Sequence, residues 1–328
     1  MAHRHLRIID AKVPPVKSIV TLTLNPTIDI SAVAEAVRPS RKIRTTEERY
    51  HAGGGGVSVA RAIHALGGDV CALYLGGGPT GQLLSELLEA AGIDARHLPI
   101  AGHSRISQTI FERESGQEFR FVPEGPEATE HEWAACLAAL AALDFDYLVI
   151  SGSLPRGLPA DAYHRAIDIA VCKRTRVMLD TSGPALRATL DKGVYLVKPS
   201  LGELEALVGR PLPDTDTQVA AARDLIEAGN TEIVALTCGR DGAVVVSATE
   251  HLHLASPPVA AQSAVGAGDS FLAAFTLALV QGRSIKAALA YGVAAGTAAV
   301  LSPGAELCRP GDVERLYGQL QASAVGAF

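Results

Sequence analysis

Short apolar runs alternate with longer segments of helical periodicity along most of the chain. The run SIVTLTL at residues 18–24 is rich in β-branched residues and predicts a buried strand. Further strands are predicted at residues 70–75, 147–150, 176–179, 194–197 and 232–237. Helices are predicted at residues 57–66, 81–91, 130–143, 160–172, 217–228, 271–281 and 285–301. Because such alternation is typical of doubly wound folds, we predict an α/β protein whose mostly parallel sheet carries helices on both faces.

Two segments, residues 30–50 and 105–122, break this alternation. Both mix charged and apolar residues in short alternation, and the second predicts a hairpin around Glu114-Ser115-Gly116. We therefore expect a small β-sheet outside the main core, formed from about residues 30–50 and 104–123. The first segment carries the basic residues Arg38, Arg41, Lys42, Arg44 and Arg49. Such a run is typical of a solvated face, but it also suits a phosphorylated substrate.

The composition of the chain argues against several classes of protein. The net charge of -6 over 328 residues argues against a general nucleic-acid binder, since no basic excess neutralises phosphates. Five dispersed cysteines without a CxxC pair are typical of reduced thiols in a cytoplasmic protein. No apolar run is long enough to cross a membrane, and residues 1–17 do not resemble a signal peptide. They predict a flexible extension ahead of one large domain at residues 18–328.

The segment SAVGAGDS, residues 263–270, stands where a loop leads into a long apolar helix. Gly266, Ala267 and Gly268 would present unpaired backbone N–H groups and the positive end of the helix dipole to an anion. Asp269 would repel a phosphate there unless it took a proton from an attacking hydroxyl group. A helix cap is the alternative interpretation of Asp269, and these residues alone leave both open.

A second glycine-rich segment, Gly53 to Gly56, precedes the helix at residues 57–66. Its four glycines favour close backbone contact with a ligand, and Ser58 lies in the first turn of the helix. Asp29 follows the first predicted strand, at the edge where open α/β sheets bind ligands, although a turn-stabilising role is also open. Arg105, at the base of the predicted hairpin, is either a surface charge or an anion ligand.

The chain contains neither a GxxxxGK[ST] motif nor a GxGxxG motif after its first strand. The first absence excludes a P-loop nucleotide site, and the second disfavours a dinucleotide oxidoreductase. The remaining features are an anion-holding helix start, an adjacent Asp, a second glycine-rich helix start and a basic patch. Transfer of a phosphoryl group to a hydroxyl group needs such parts.

From about residue 18 onward the chain resembles the PfkB family of ribokinase-like carbohydrate kinases. The matching motifs, in order, are TLTLNPTID, AGGGGVSVARAIHALGG, SGSLPRG, LVKPSLGEL, SAVGAGDSFLAAF and YGVAAGTAAVLSPG. Within the family the resemblance is greatest to the minor bacterial 6-phosphofructokinases, since fructose-1-phosphate kinases usually carry a lysine in the four-glycine run. The resemblance implies a ribokinase-like fold whose small sheet acts as a lid and as a dimer clasp.

The resemblance also assigns roles to particular residues. Asp269 would be the catalytic base, with the anion hole at Gly266, Ala267 and Gly268. The sugar phosphate would be held by Asp29, Gly53, Gly54, Ser58, Arg105 and Ser153, and by Lys42, with Arg44, from a neighbouring subunit. ATP would lie along Lys198, Ser200, Thr237, Gly239, Gly242, Val293 and Thr297. Glu203 would place Mg²⁺ through water, and K⁺ would bind at Ser263, Val265, Ala299, Ser302, Gly304 and Glu306.

Two positions depart from the family pattern. Ser58 replaces the usual Asn at the glycine-rich helix start, which shortens the reach toward the sugar. Ser200 replaces the usual Asn of the NxxE motif, which is expected to weaken Mg²⁺ binding. The expected activity is ATP-dependent phosphorylation of the 1-hydroxyl group of fructose 6-phosphate. Tagatose-6-phosphate kinase, fructose-1-phosphate kinase and a catalytically silent sugar-phosphate or nucleotide binder remain the alternatives.

Overall fold

The computed structural model describes residues 18–325, with side chains through residue 322. The predicted flexible extension at residues 1–17 lies outside the described residues. The main sheet consists, in spatial order, of β13 (His251–Leu254), β12 (Ala243–Ser247), β11 (Thr231–Thr237), β10 (Val194–Val197), β9 (Arg176–Asp180), β8 (Tyr147–Ser151), β1 (Ile19–Thr23), β4 (Val70–Gly76) and β5 (Asp94–Pro99). The predicted doubly wound, mostly parallel sheet is confirmed, with β12 and β13 as an antiparallel edge.

Helices cover both faces of this sheet. One face packs against α1 (Gly55–Ala65), α2 (Gly78–Ala90), α8 (Ala267–Val280), α9 (Ile285–Ala299) and α10 (Pro310–Val325). The other face packs against α3 (Glu130–Ala142), α4 (Tyr163–Cys172), α5 (Gly183–Leu190), α6 (Leu201–Val208) and α7 (Thr215–Glu227). Every residue of β1 is buried, as expected of a central strand covered on both faces. This explains its uninterrupted apolar and Thr pattern.

A separate four-stranded sheet stands beside the main one, as predicted. Its order is β3 (Thr45–Gly53), β2 (Thr27–Ala34), β6 (Arg105–Glu112) and β7 (Glu118–Phe121). The predicted turn at residues 114–116 joins β6 to β7, which are antiparallel. Most residues of β3 are exposed, which agrees with the charged alternation of that segment.

The strand order reverses at β1. This strand pairs in parallel with β4 on one side and with β8 on the other, so the chain moves to opposite halves of the sheet from this point. Ligands bind to open α/β sheets at such a switch point, outside the carboxyl ends of the strands. The first turn of α1 packs there so closely that a Cβ at Gly55 would lie 2.3 Å from the Ser151 hydroxyl oxygen. The four-glycine run therefore has a packing role at this point.

Several elements were not predicted from the sequence. They are β5, β12, α5 and α10. Strand β5 is an edge strand of mixed polarity, so its sequence lacks both the apolar run and the alternation that identify strands. Strand β13 is short, and it pairs with β12 through residues His251 to Leu254.

Candidate active site

A cavity of about 170 Å³ lies between the small sheet and the carboxyl edge of the main sheet. The residues predicted for the site that line it are Asp29, Gly54, Ser58, Arg105, Val265, Gly266 and Asp269. These residues come from four separate parts of the chain, and the fold brings them to one place. The cavity wall also contains residues that the sequence did not predict, among them Ser107, Arg120 and Leu307.

Asp269 occupies the third position of α8, directly at this cavity. The helix begins after Gly266, whose φ of 75° is in the left-handed region that favours glycine, and no side chain caps the helix. Asp269 therefore does not cap α8, which removes the alternative interpretation of this residue. A Cβ at Gly268 would lie 3.4 Å from the Lys198 Nζ, so this turn of backbone is close to a buried cation.

The environment of Asp269 suits a general base. Desolvation raises the pKa of its carboxyl group to about 7, and the nearby carboxylates of Asp180 and Asp29 add to the shift. Lys198 and a hydrogen bond with Ser58 act in the opposite direction. A base whose pKa lies near the working pH accepts a proton and releases it again with little energetic cost.

Lys198 and Asp180 form a buried ion pair beside this carboxylate. Their charged atoms are 3.0 Å apart, and their side chains are 6% and 14% exposed. The Ser151 hydroxyl also donates a hydrogen bond to Asp180, at 3.3 Å. Desolvation raises the pKa of Asp180 against the effect of Lys198; desolvation also lowers the pKa of Lys198, but Asp180 outweighs it and the net shift is upward. Asp180 was not among the predicted site residues.

Asp29 lies on the opposite side of the cavity. The sequence suggested a position in the loop after the first strand, and this is wrong: Asp29 is the third residue of β2 in the small sheet. The Ser107 hydroxyl donates a hydrogen bond to it at 2.9 Å. A Cβ at Gly53 would lie 2.0 Å from an Asp29 carboxylate oxygen, so a larger residue there would displace the Asp29 side chain. Desolvation raises the pKa of Asp29, although Ser107 and Arg61 oppose the shift.

Arg105 and Ser153 are held together through Asn25. The Arg105 guanidinium donates to the Asn25 carbonyl oxygen at 2.9 Å, and the Asn25 amide group donates to the Ser153 hydroxyl at 3.2 Å. Ser153 is exposed and lies outside the lining of the small cavity. A second, more open cavity of about 620 Å³ shares Arg105 with the small cavity as a wall residue. Arg105 therefore faces both spaces.

The residues predicted to lie along ATP occur on the other half of the sheet. Thr237 ends β11 and its backbone N–H donates to the Pro199 carbonyl oxygen at 3.0 Å. Gly242 has a φ of 92°, and a Cβ there would lie 2.0 Å from the Leu254 carbonyl oxygen. Gly239 begins the short turn between these two positions. Val293 and Thr297 are buried on α9, where the Thr297 hydroxyl has no hydrogen-bond partner among the described residues.

Ser200 and Glu203 form the capping box of α6. The Ser200 hydroxyl accepts from the Glu203 backbone N–H at 3.3 Å, and the Glu203 carboxylate accepts from the Ser200 backbone N–H at 2.7 Å. Glu203 is also close enough to Asp180 and Lys198 to raise the pKa of both. Ser200 and Glu203 therefore have a structural role as the cap of α6, and the Glu203 carboxylate is also near the Lys198–Asp180 ion pair.

The residues predicted for K⁺ lie on two adjoining loops. The backbone N–H groups of Gln262 and Ser263 donate to the Val300 carbonyl oxygen, which joins the loop of Ser263 and Val265 to the segment after α9. Ala299 is the last residue of α9, and the segment that follows it contains Ser302, Gly304 and Glu306. The Ser302 hydroxyl is buried and has no partner among the described residues. The Glu306 side chain pairs with Arg49 and Arg309 instead of facing these loops.

Lys42 and Arg44 lie in the connection between β2 and β3. Both are exposed, and neither lines either cavity of this chain. Three further residues at the site have contacts that the sequence did not predict: Asn25, Arg61 and Asp180. Asn25 belongs to the TLTLNPTID motif, and Asp180 follows a predicted strand directly, which is the signal that would have identified it. Arg61 gave no signal, because Arg is common on amphipathic helices.

The described residues contain no helix that is both long and apolar enough to span a bilayer. Within the same part of the chain, no group of three or more His, Cys, Asp or Glu side chains has an arrangement suited to holding a metal ion. A metal at this site would therefore depend on one or two carboxylates together with substrate oxygens, as is usual for Mg²⁺ in phosphoryl-transfer enzymes.

A doubly wound sheet, a separate small sheet and an acidic cavity at a helix N-terminus suit an enzyme that transfers a phosphoryl group to a small molecule. The chain belongs to the pfkB family of carbohydrate kinases, whose family model matches residues 19–311. The ATP-dependent 6-phosphofructokinase isozyme 2 of Mycobacterium tuberculosis is 42% identical over 91% of this chain and 88% of that protein.

Solved structures show the same likeness. The crystal structure of phosphofructokinase-2 from Escherichia coli in complex with fructose-6-phosphate has a TM-score of 0.88 and 35% identity, covering 93% of this chain and 99% of that chain. Another crystal structure of the Escherichia coli protein, in complex with potassium, has a TM-score of 0.89 and 36% identity, with the same coverage. The fold inferred from the sequence motifs is therefore confirmed.

Proposed function

We propose that this protein transfers the γ-phosphoryl group of ATP to the 1-hydroxyl group of fructose 6-phosphate. The observation that carries the proposal is the position of Asp269, whose carboxyl group has a pKa of about 7 beside the N-terminus of α8. The likeness to named 6-phosphofructokinases over most of the chain supports the choice of sugar. The products are fructose 1,6-bisphosphate and ADP.

In the proposed reaction Asp269 takes the proton of the 1-hydroxyl group as its oxygen attacks the γ-phosphorus. A new O–P bond forms, the bond to the β–γ bridging oxygen breaks, and the electron pair leaves with ADP. The backbone N–H groups of Gly266, Ala267 and Gly268, at the positive end of the α8 dipole, stabilise charge on the transferred group. ATP supplies the phosphoryl group, and the protein supplies position, a proton acceptor and electrostatic stabilisation.

The sugar phosphate occupies the cavity between the two sheets. Asp29 and Ser58 contact sugar hydroxyl groups, and the backbone of Gly53 and Gly54 permits close approach. Arg105 and Ser153 bind the 6-phosphate: Asn25 contacts both residues, and Arg105 lines both cavities. Ser58 has a shorter reach than Asn, so we expect a water molecule or a shifted sugar to complete this contact.

A second subunit completes the phosphate site. Lys42 and Arg44 are exposed and do not line the cavities of their own chain, so they suit a contribution to a neighbouring copy. The small sheet exposes large apolar side chains, which favours its burial against another copy in a homodimer. They are Tyr50, Phe111 and Phe121, and Val122, directly after β7, is exposed as well.

ATP lies along Lys198, Ser200, Thr237, Gly239, Gly242, Val293 and Thr297. The unpartnered Thr297 hydroxyl fits a polar ligand on this side, and the buried charge of Lys198 fits a phosphate group. Mg²⁺, held by phosphate oxygens with Glu203 through water, would neutralise charge on the triphosphate. Asp180 and Glu203 both have carboxylates near Lys198, which suits this hard cation.

K⁺ binds between the loops of Ser263–Val265 and Ala299–Glu306. The orphaned Ser302 hydroxyl at this place fits an oxygen-coordinated cation, and the Escherichia coli relative has been crystallised with potassium. A cation there would stiffen the loop that leads into Gly266. We place the enzyme in the cytoplasm, since its five cysteines are free and its proposed substrates are cytoplasmic phosphates.

A coupled ADP-release assay tests the choice of substrate. Fructose 6-phosphate, tagatose 6-phosphate and fructose 1-phosphate are each supplied with and without ATP. We expect ATP-dependent turnover with the highest kcat/KM on fructose 6-phosphate. Preference for either of the other sugars would replace the proposed substrate, and binding of sugar phosphate and ATP without turnover would favour the silent binder.

The pH dependence of kcat/KM tests the role of Asp269. Because the free enzyme must carry this carboxylate in its ionised form, kcat/KM should rise about tenfold per pH unit below pH 7 and level off above it. The rise should correspond to the loss of one proton with an apparent pKa near 7. A matched profile of ATP binding should show no such ionisation. A flat profile between pH 5.5 and 8 contradicts this assignment.

A further inference from the structure

Ser263 lies in the loop that leads into the proposed anion hole, and its hydroxyl group makes two hydrogen bonds there. It accepts from the Val265 backbone N–H at 3.2 Å and donates to the Glu118 carboxylate at 3.0 Å. Ser263 is buried, with 4% of its surface exposed, and Glu118 is half-buried. Because hydrogen bonds to an ionised group are stronger than those between neutral groups, this pair of contacts holds the hydroxyl group in one orientation.

The two partners of this hydroxyl group belong to different parts of the fold. Glu118 is the first residue of β7 in the small sheet, whereas Val265 directly precedes Gly266, after which α8 begins. Val265 and Gly266 both line the cavity of about 170 Å³ that is proposed for the sugar phosphate. The hydrogen bond between Ser263 and Glu118, which are 145 positions apart, therefore joins the small sheet to the start of α8.

The face of β7 that carries Glu118 also covers this cavity. Alternate residues of a strand lie on the same face, so Glu118 and Arg120 point the same way. Arg120 lines the cavity, and so does Val122, directly after the strand. A position of the small sheet that places Arg120 and Val122 over the sugar therefore also brings Glu118 to Ser263.

The loop after α9 makes a second connection between the small sheet and the start of α8. A Cβ at Gly304 would lie 2.3 Å from the Ser31 Cβ of β2, so the loop and the sheet are in close contact. Leu307 of the same loop lies over the start of α8, since a Cβ at Gly266 would be 2.5 Å from its Cδ2 atom. Gly266 is therefore bounded by two loops that both contact the small sheet.

We propose that Glu118 is a positioning residue, which holds the loop before Gly266 through Ser263 and so couples the position of the small sheet to the geometry of the anion hole. The inference rests on the proposed function, because it takes the backbone N–H groups of Gly266, Ala267 and Gly268 as the anion hole. Glu118 lines neither cavity and acts through Ser263. Anion-hole donors stabilise developing charge when they are already oriented toward it, so a shift of this loop removes part of that stabilisation.

The test compares Glu118→Ala and Glu118→Gln with the wild type in steady-state kinetics at saturating K⁺. Ala removes the acceptor of the Ser263 hydroxyl, so kcat should fall about tenfold, while KM for ATP and for fructose 6-phosphate should change less than about threefold. The loss should be smaller than the roughly 10²–10³-fold effect of removing one anion-hole donor, since the donors themselves remain. Gln keeps an acceptor oxygen at nearly the same place, so Glu118→Gln should retain most of the wild-type kcat.

Glu114→Ala is the matched control. Glu114 lies in the turn between β6 and β7 of the same sheet and forms an exposed ion pair with Arg38, so its loss should leave kcat and both KM values unchanged. A raised KM for fructose 6-phosphate at unchanged kcat in Glu118→Ala would show that Glu118 only holds the sheet over the sugar, and would overturn the proposal. An equal loss of kcat in Glu118→Gln would also overturn it, because an acceptor oxygen at this position would then have no effect.

A double-mutant cycle tests whether Glu118 acts through Ser263. Ser263→Ala removes the hydroxyl group that connects Glu118 to the Val265 N–H, so it should also lower kcat. Because both substitutions break the same connection, the double variant should be no slower than Ser263→Ala alone. Effects on kcat that multiply in the double variant would mean that the two side chains act independently, and would contradict the proposal.

Hydrogen–deuterium exchange without substrate separates this inference from the proposed function. The Val265 N–H donates to the Ser263 hydroxyl, so releasing that hydroxyl from Glu118 should speed amide exchange in residues 263–270. We expect faster exchange in Glu118→Ala and wild-type exchange in Glu118→Gln and Glu114→Ala. Faster exchange in an enzyme that prefers another sugar would support the proposal and replace only the substrate. Wild-type exchange in Glu118→Ala would overturn the proposal whichever sugar proves to be the substrate.

Discussion

Asp269→Asn should lower kcat by about 10²–10⁴-fold and leave the affinity for ATP in place. The amide keeps the size of the carboxylate but accepts no proton at neutral pH, so only the proton-transfer step is removed. Steady-state kinetics with fructose 6-phosphate and a separate titration of ATP binding measure the two effects. We also expect Asp269→Asn to melt at a higher temperature than the wild type at pH 8.

The last expectation follows from the sign of the pKa shift. The folded protein raises the pKa of Asp269 to about 7, above the ordinary value of Asp, so folding favours the protonated form. Ionised Asp269 therefore destabilises the fold increasingly as the pH rises from the unfolded pKa to about 7. Asn removes that cost, and a more stable but inactive variant is difficult to explain by damaged folding.

Asp168→Asn serves as the control for this variant. Asp168 lies on α4 and pairs with Lys192 at 2.8 Å, exposed to solvent and outside both cavities. The same chemical change there should leave kcat and the melting temperature near their wild-type values. Turnover of Asp269→Asn within a few-fold of the wild type would remove Asp269 from the role of base.

Lys198→Met should destabilise the protein by about 3–5 kcal/mol. The methionine keeps a long apolar stem but leaves Asp180 buried without its cation, since their charged atoms are 3.0 Å apart and their side chains nearly inaccessible. The same change should weaken ATP binding, because Lys198 provides the buried positive charge on the nucleotide side. Chemical denaturation and ATP titration measure the two effects.

Lys192→Met is a matched comparison within the same chain. Lys192 forms a similar Lys–Asp contact at 2.8 Å, but its side chain and that of Asp168 are 37% and 58% exposed. Because exposed pairs contribute about 0–1 kcal/mol, this variant should lose little stability. Equal losses of stability in the two variants would mean that burial does not increase the contribution of the Lys198–Asp180 pair to stability. Asp180→Asn in the Lys198→Met background should recover stability if the uncompensated charge is the cause.

The sequence determined much of the fold through local signals. The run at residues 18–24 predicted β1, and the alternation after residue 130 predicted the parallel part of the sheet. The charged segments at residues 30–50 and 105–122 predicted a second sheet, since a strand that packs on one face alternates in polarity. The elements that it missed, such as β5 and β12, are near the sheet edges, where neighbouring strands decide whether a segment pairs.

The sequence predicted the positions of the site residues better on one side of the cavity than on the other. Gly266 to Asp269 lie within four consecutive positions, so sequence spacing alone placed a carboxylate next to a helix N-terminus. Asp29 was expected in a loop, because nothing in its neighbourhood shows that the chain enters a second sheet immediately after Pro26. The strand that begins at Thr27 depends on pairing with β3 and β6.

By itself, therefore, the sequence determined the α/β architecture, the order of the motifs and the identity of the proposed base. Tertiary structure alone decided that Asn25 joins Arg105 and Ser153, across separations of 80 and 128 residues. It also decided that Lys198 pairs with Asp180 and that Arg61 binds the Ala52 carbonyl oxygen of β3. Periodicity and capping act over a few residues, whereas desolvation and Coulomb interaction depend on distances that exist only after the chain has folded.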